Sequence, residues 1–320
     1  IHGASTQASS AAKDLRVLRL TLMPLHFFFC FLYYTDVAST CCVFLMYWLH
    51  CRRCVRLAAV VGAVSVLMRQ TNIVWVWGLA VHVFSAPVGI AKWSGRLRDA
   101  IASGLVLPHA VVGSGFVAFV IWNGSIVVGD KDNHAAVLHL AMVPYLAAFI
   151  IFFLGPAAWL EMLKRLPNIR LRAILEGLLV SGICAAMTNY GSYAHPFLLA
   201  DNRHITFYLW KNLLQKRLIR VIVLPGALGV ATAAIRSPAM SKRHLCLCSG
   251  HDIGLWIICC SLVLIPTPLL EFRYFIVPTM LALLHQPLGT LREEALATLL
   301  SAFINVVVIG VFLLRPFYSE

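Results

Sequence analysis

The sequence predicts an all-α, polytopic transmembrane bundle, and three observations carry that prediction. Of 320 residues, 60% are hydrophobic and only 12% are charged, with a mean hydropathy of +0.84. A soluble domain carries about 25% charged residues, and a surface of this size in water would need them. The apolar residues also fall in blocks separated by short polar loops, as the thickness of a bilayer requires. Finally, Arg and Lys gather in alternate loops, the positive-inside pattern of multi-span proteins.

The apolar blocks fall at about 17–34, 37–50, 55–68, 73–91, 104–128, 137–159, 173–193, 218–235, 252–267, 272–285 and 296–314. A spanning helix needs ~20 residues, so the second, third, ninth and tenth blocks are short and read as tilted, re-entrant or interfacial. About eleven apolar segments are expected, in a single membrane domain over 17–320 preceded by a polar stretch over 1–16. That stretch starts Ile1-His2-Gly3 and reads as the edge of a longer protein.

Basic residues fix the expected orientation. Lys13, Arg16 and Arg19 form one group, followed by Arg52, Arg53 and Arg56, then Lys92, Arg96 and Arg98. Lys164, Arg165, Arg170 and Arg172 come next, then Arg236, Lys242 and Arg243, and last Arg292. These loops are expected to be cytoplasmic. The net charge of +13 is therefore spent on topology, and no basic stripe with interleaved aromatics appears, which excludes nucleic acid as a partner. The ten cysteines lie mostly in or beside apolar runs and read as packing residues.

The other set of loops carries a different chemistry. Tyr33-Tyr34-Thr35-Asp36 offers an aromatic pair and an acid that either caps the next helix or faces a sugar hydroxyl. In Arg69-Gln70-Thr71-Asn72, a guanidinium fork stands beside amides; snorkelling accounts for the Arg alone, whereas the set suits phosphate or sugar. Asp130-Lys131-Asp132-Asn133-His134 is a solvated turn or a short metal-binding pattern. After His195-Pro196, Asp201, Asn202, Arg203 and His204 present an acid, an amide, a cation and an imidazole in succession. The following Thr206 to Lys216 reads as an interfacial amphipathic helix with Phe207, Trp210 and Leu214 facing lipid. In Glu271-Phe272-Arg273-Tyr274, the two charges stand two apart, so on a helix each would need a different partner.

Other patterns weigh less. Cys51-Arg52-Arg53-Cys54 lacks a second pair, and His244, Cys246, Cys248 and His251 fit no standard zinc spacing. Asn123-Gly124-Ser125 is a formal glycosylation sequon within an apolar run, expected to be unused. The sequence contains no P-loop, nucleophile elbow or G-x-G-x-x-G. A transporter or channel is the competing class; it calls for charges near mid-helix and repeated halves, whereas the charges here lie at helix ends.

Taken in order, Tyr33-Tyr34-Thr35-Asp36, Arg69 to Ile73, Val128 to Lys131 with His134, Leu199 to His204, and Leu270 to Phe275 resemble one family. The chain is similar, from about Leu18 to about Pro278, to the dolichyl-phosphate-glucose-dependent α-1,2-glucosyltransferases of the endoplasmic reticulum. The resemblance implies a GT-C-like enzyme in the endoplasmic reticulum membrane, with its site facing the lumen and no metal or other cofactor. It implies dolichyl-phosphate-glucose as donor and the diglucosylated dolichyl-diphosphate oligosaccharide as acceptor, with inversion at the transferred carbon. Such a transfer needs a carboxylate base and cations for the departing phosphate. Asp36, Asp201 and Glu271 are the candidate catalytic acids. Tyr33, Tyr34, Arg69, Gln70, Asn72, Asp130, His134, Asn202, Arg203, His204, Arg273 and Tyr274 are the candidate substrate- and phosphate-binding groups. The family begins with a spanning helix and an acidic Asp-Glu luminal loop that usually supplies the base. This chain lacks that segment, so it is expected to be a truncated or inactive form, and the base is left open among the three acids.

Overall fold

The computed structural model describes residues 2–85, 106–128, 136–192, 204–236 and 250–315. Every described element is helical. In order they are α1 (His2–Thr21), α2 (Pro24–Phe29), α3 (Asp36–Cys51), α4 (Val55–Met68), α5 (Asn72–Ser85), α6 (Leu107–Asn123) and α7 (Met142–Phe153). There follow α8 (Pro156–Arg165), α9 (Leu171–Tyr190), α10 (Ile205–Leu209), α11 (Leu224–Arg236), α12 (Gly250–Leu264), α13 (Ile276–Leu284) and α14 (Leu291–Leu314). The chain divides into two compact units, one of residues 1–31, 136–247 and 264–320, the other of residues 32–135 and 248–263.

The first unit is built on two helix pairs. In one, α1 and α14 run parallel: Arg16 meets Glu294, the Thr298 hydroxyl donates to the Leu15 carbonyl (3.2 Å), and the Asn305 amide donates to that of Leu22 (2.8 Å). The last of these has a reason in the sequence. Pro24 opens α2 and ends the regular ladder of α1, and Asn305 serves the Leu22 carbonyl at the break. The apolar block at 17–34 is thus the end of one helix and the whole of another. The polar stretch before it is helical as well, as its alanines favour.

In the second pair, α9 packs antiparallel against the run that ends in α11. Glycines make this contact possible: a Cβ on Gly177 would lie 2.5 Å from the Gly229 carbonyl oxygen, and the reverse holds for Gly229. Gly177→Val is therefore expected to separate the pair and cost about 1–3 kcal/mol, read as a lowered thermal midpoint of the detergent-solubilised protein. Gly182 on the same helix has open space beside it, and Gly182→Ala should leave the midpoint unchanged or slightly raised.

Two sequence expectations change here. The apolar block at 137–159 is not one span: α7 and the helical segment starting with α8 meet at a 101° bend. Gly155 supplies a φ of +97°, and Pro156 starts the new helix where a missing N–H costs nothing. Phe207, Trp210 and Leu214 do not face lipid; they are 7%, 6% and 7% exposed. Residues 205–236 instead form helical segments broken only at Gln215 and Lys216, widened to π geometry at Trp210–Leu214 and Ile219–Val223, with Phe207 and Trp210 buried in the unit. Ile276–Leu283 of α13 is buried all round, as expected of a helix that is apolar on every face.

The second unit is a hairpin of α3 and α4 with α5, α6 and α12 added. Gly62 lets Val76 of α5 and Met46 of α3 close on α4, and Cys259 of α12 approaches Gly78 of α5. Among the described residues, α9, Ile219–Arg236 and α14 are long and apolar enough to cross a membrane, and the bent α7–α8 pair is a broken span or re-entrant loop. The remaining apolar helices are shorter, so the structure is that of a polytopic helical membrane protein without reproducing eleven full spans. Outward faces remain apolar, with Leu171, Leu175, Leu178 and Leu179 exposed on α9 and Leu299, Phe303 and Val306 on α14, as lipid contact requires.

Candidate functional site

In the second unit, the site residues gather because α3 and α4 are antiparallel. α3 leaves Asp36, turns at Cys51 to Cys54, and α4 returns to Arg69, so positions 36 and 69 share one end. Arg52, Arg53 and Arg56 occupy the other. At the Asp36 end the chain leaves the helix: Arg69 is extended (φ −148°, ψ 119°), which swings its side chain across to α3. Its Nη1 lies 2.9 Å from Asp36 Oδ1, and the Asp36 side chain is only 2% exposed. Asp36 sits in the first turn of α3, where the helix dipole also favours a carboxylate.

Asn72 faces inward. Its Nδ2 donates to Ser39 Oγ (2.7 Å) and to the Ser65 carbonyl (2.8 Å), tying the start of α5 to α3 and α4. Gln70 is half-buried, and Tyr33 and Tyr34 are exposed. The sequence places Asn72 in one polar set with Arg69, Gln70 and Thr71, but Ser39 and Ser65, its partners in the terminal turns of α3 and α4, carry no signal of their own. The sequon nitrogen, Asn123 Nδ2, donates to the Ser125 and Val127 carbonyls (both 2.8 Å), and Gly124 in left-handed geometry ends α6 there. The sequon, within the apolar run, thus marks the C-terminus of α6.

In the first unit, His204 is held among aromatic rings. Its ring is edge-on to Phe28 and Phe312, with centroids 5.6 and 5.9 Å away, and tilted to Phe29 at 6.5 Å. Phe312 lies near the far end of α14 from Glu294, so His204 stands opposite the Arg16 and Arg19 end of the unit. Glu271 and Arg273 stand on a turn (Phe272–Phe275) that also touches α2, and α13 carries the chain from there to the Arg16 end. These two charges pair with each other, which corrects the expectation of separate partners. That expectation applied helix spacing, but Glu271 is extended (φ −123°, ψ 123°) and a 3-10 turn follows, so side chains two apart converge. The Arg273 guanidinium also lies 5.6 Å from the Tyr274 ring centre.

Backbone pairing holds the segment that leads into this turn. Val137 and His139 donate to the Pro266 and Ile265 carbonyls (3.2 and 2.9 Å), and His139 Nδ1 lies 3.2 Å from the Thr267 carbonyl. Asp130, His134, Asp201, Asn202 and Arg203, and the His244 to Cys248 set, lie outside the described residues. Among the described residues, no group of three or more His, Cys, Asp or Glu side chains is placed to hold a metal ion.

Each unit thus pairs a carboxylate with a guanidinium at a helix boundary. The fold around them is that of a polytopic helical membrane protein. The chain belongs to the DIE2/ALG10 family, whose model matches residues 1–96 and 90–284. It is 28% identical over 391 residues to an Arabidopsis thaliana protein named Dol-P-Glc:Glc(2)Man(9)GlcNAc(2)-PP-Dol alpha-1,2-glucosyltransferase, covering 97% of this chain and 74% of the relative. A Candida albicans protein of the same name is 34% identical over 272 residues, covering 82% of this chain, and a human one is 28% identical over 343 residues, covering 97%. The matched regions span 59% of the Candida relative and 71% of the human one. No solved structure matches the chain significantly.

Proposed function

We propose that this chain is an inverting glucosyltransferase that moves glucose from dolichyl-phosphate-glucose to the diglucosylated dolichyl-diphosphate oligosaccharide, forming an α-1,2 linkage. The reading places it in the endoplasmic reticulum membrane, with the site facing the lumen. Family membership and the shared name of the relatives support the reaction. The orientation draws support from each unit separately: Asp36 and Arg69 lie at the helix ends opposite Arg52 and Arg53, and His204 lies opposite Arg16 and Arg19.

The observation that carries the reading is the Asp36–Arg69 pair. A guanidinium anchored on a buried carboxylate at a membrane boundary, still 18% exposed, is preorganised to receive phosphate. Asp36 is then the positioning residue for Arg69, and Asn72 fixes the turn from which Arg69 projects. Glu271 and Arg273 repeat the arrangement. With both of those acids engaged by arginines, Asp201 is the proposed base that accepts the proton of the acceptor hydroxyl, beside Asn202, Arg203 and His204. Asp130, His134, Gln70 and the exposed Tyr33 and Tyr34 are proposed to line the sugar and polyprenyl groups, and no metal is required by this scheme.

Complementation tests the proposal. Cells lacking the final glucosylation accumulate a diglucosylated lipid-linked oligosaccharide, and expression of this chain, alone or joined to the upstream segment of a relative, is expected to convert it to the triglucosylated form. Sizing of the released oligosaccharides reads the result. An unchanged diglucosylated species with abundant, membrane-inserted protein in both forms would sink the assignment.

A further inference from the structure

The turn between α3 and α4 has chemistry that glucose transfer does not use. α3 has 16 residues and α4 has 14. At 1.5 Å per residue they reach about 24 and 21 Å, less than the ~30 Å hydrocarbon core. Hairpins this short draw their connecting turn down toward the acyl chains. Both cysteines of the turn, Cys51 and Cys54, are exposed. Their backbone is fixed: Arg53 adopts a φ of +60°, and the Cys54 N–H donates to the Leu49 carbonyl (2.9 Å).

The surroundings mark a membrane boundary. Trp48, Leu57 and Val60 are exposed apolar residues on the two helices. Arg52 folds back with its guanidinium 5.6 Å from the Trp48 ring centre, and Arg53 and Arg56 are exposed beside it. Two accessible thiols therefore sit where acyl chains begin, within a cluster of three cations suited to anionic head groups and to the phosphates of a coenzyme A thioester.

We infer that Cys51 and Cys54 form an S-acylation site that takes a long-chain fatty acyl group from an acyl-coenzyme A. The cysteine sulfur attacks the thioester carbonyl, the new S–C bond forms, and the bond to coenzyme A breaks. Coenzyme A leaves as a thiol, carrying the proton the cysteine gives up, and nothing is oxidised or reduced. The attached chain extends the apolar length of a hairpin that is too short for the bilayer. Among the described residues, the other exposed cysteines lack this setting: Cys41 lies within α3, and Cys30 follows the phenylalanine run of α2 with no arginine beside it.

The test uses the whole chain in cells supplied with an alkynyl fatty acid, followed by dye coupling and hydroxylamine, which cleaves thioesters. The wild-type chain is expected to carry hydroxylamine-sensitive label. Cys51→Ser and Cys54→Ser should each lower it, and together they should bring it to background at equal protein abundance. Cys30→Ser and Cys41→Ser should retain the wild-type level. The inference is overturned by absence of label from the wild type, by label surviving in the double variant, or by thiols at 51 and 54 that become reactive only after a disulfide reductant. None of these measurements reads glucose transfer, so the outcome stands apart from that of the complementation.

Discussion

Arg69→Ala is expected to reduce glucose transfer by at least about 10²-fold, the scale on which a preorganised electrostatic partner of the transition state acts. Two effects combine in that variant. The departing phosphate loses its cation, and Asp36, 2% exposed, is left as a buried charge without Arg69. Breaking such a pair from one side costs about 3–5 kcal/mol, so abundance is expected to fall too. A double variant separates the two effects. Asp36→Asn with Arg69→Gln removes both charges, the first without change of shape, and should recover most of the stability. If Arg69 serves only to hold α3 against α4, transfer should recover with it. If Arg69 acts on phosphate, the protein should be abundant and transfer should stay lost, with the diglucosylated oligosaccharide still accumulating. Arg69→Lys keeps the charge but not the planar fork, and an intermediate loss is expected.

That Asp36 and Arg69 stand at the same end of their hairpin is accessible from sequence because it needs only topology; their contact also needs the extended backbone at Arg69. Two apolar segments joined by a basic turn must be antiparallel, and antiparallel helices return the chain to its starting face. What lay beyond reach was local geometry. Asn72 has the same composition signal whether it points to a ligand or to Ser39, and only the packing of the start of α5 on α3 and α4 decides. The Glu271–Arg273 contact was hidden by assuming a helix where the chain is extended. Phe207, Trp210 and Leu214 have the spacing of a lipid-facing stripe, yet that stripe is equally suited to packing against protein, and hydropathy does not distinguish lipid from a protein interior. The bend after α7 was written in Gly155-Pro156, but a continuous apolar block masked it. His204 owes its placement partly to Phe312, a residue far outside the segment that carried the family resemblance.

A stability effect of similar size is expected at Glu294, which carries no signal in the sequence beyond its place near Arg292. Its carboxylate is 2% exposed and takes Arg16 Nε at 2.8 Å together with a second Arg16 nitrogen. Arg19 Nη1 lies at 3.5 Å, and the Gly289 N–H donates to it at 2.9 Å. Thr290 and Glu293 close a capping box around the same turn. Glu294→Ala strands two buried guanidinium groups, and a loss of about 3–5 kcal/mol is expected, seen as a collapse of the thermal midpoint in detergent. Arg172→Ala offers the contrast: that arginine is 91% exposed in its pair with Glu176, and such pairs contribute about 0.3–0.5 kcal/mol. Arg16→Met, Arg19→Met and Glu294→Leu together would remove every charge, which alone predicts near-complete recovery. Recovery should nonetheless be partial. Arg16 also donates to the Leu283, Gln286 and Pro287 carbonyls, and Arg19 to that of Phe153, so four backbone acceptors at helix ends lose their donors in the triple variant. A triple variant as stable as the parent would show that the arginines serve only the carboxylate, and that the ends of α7 and α13 find other partners without them.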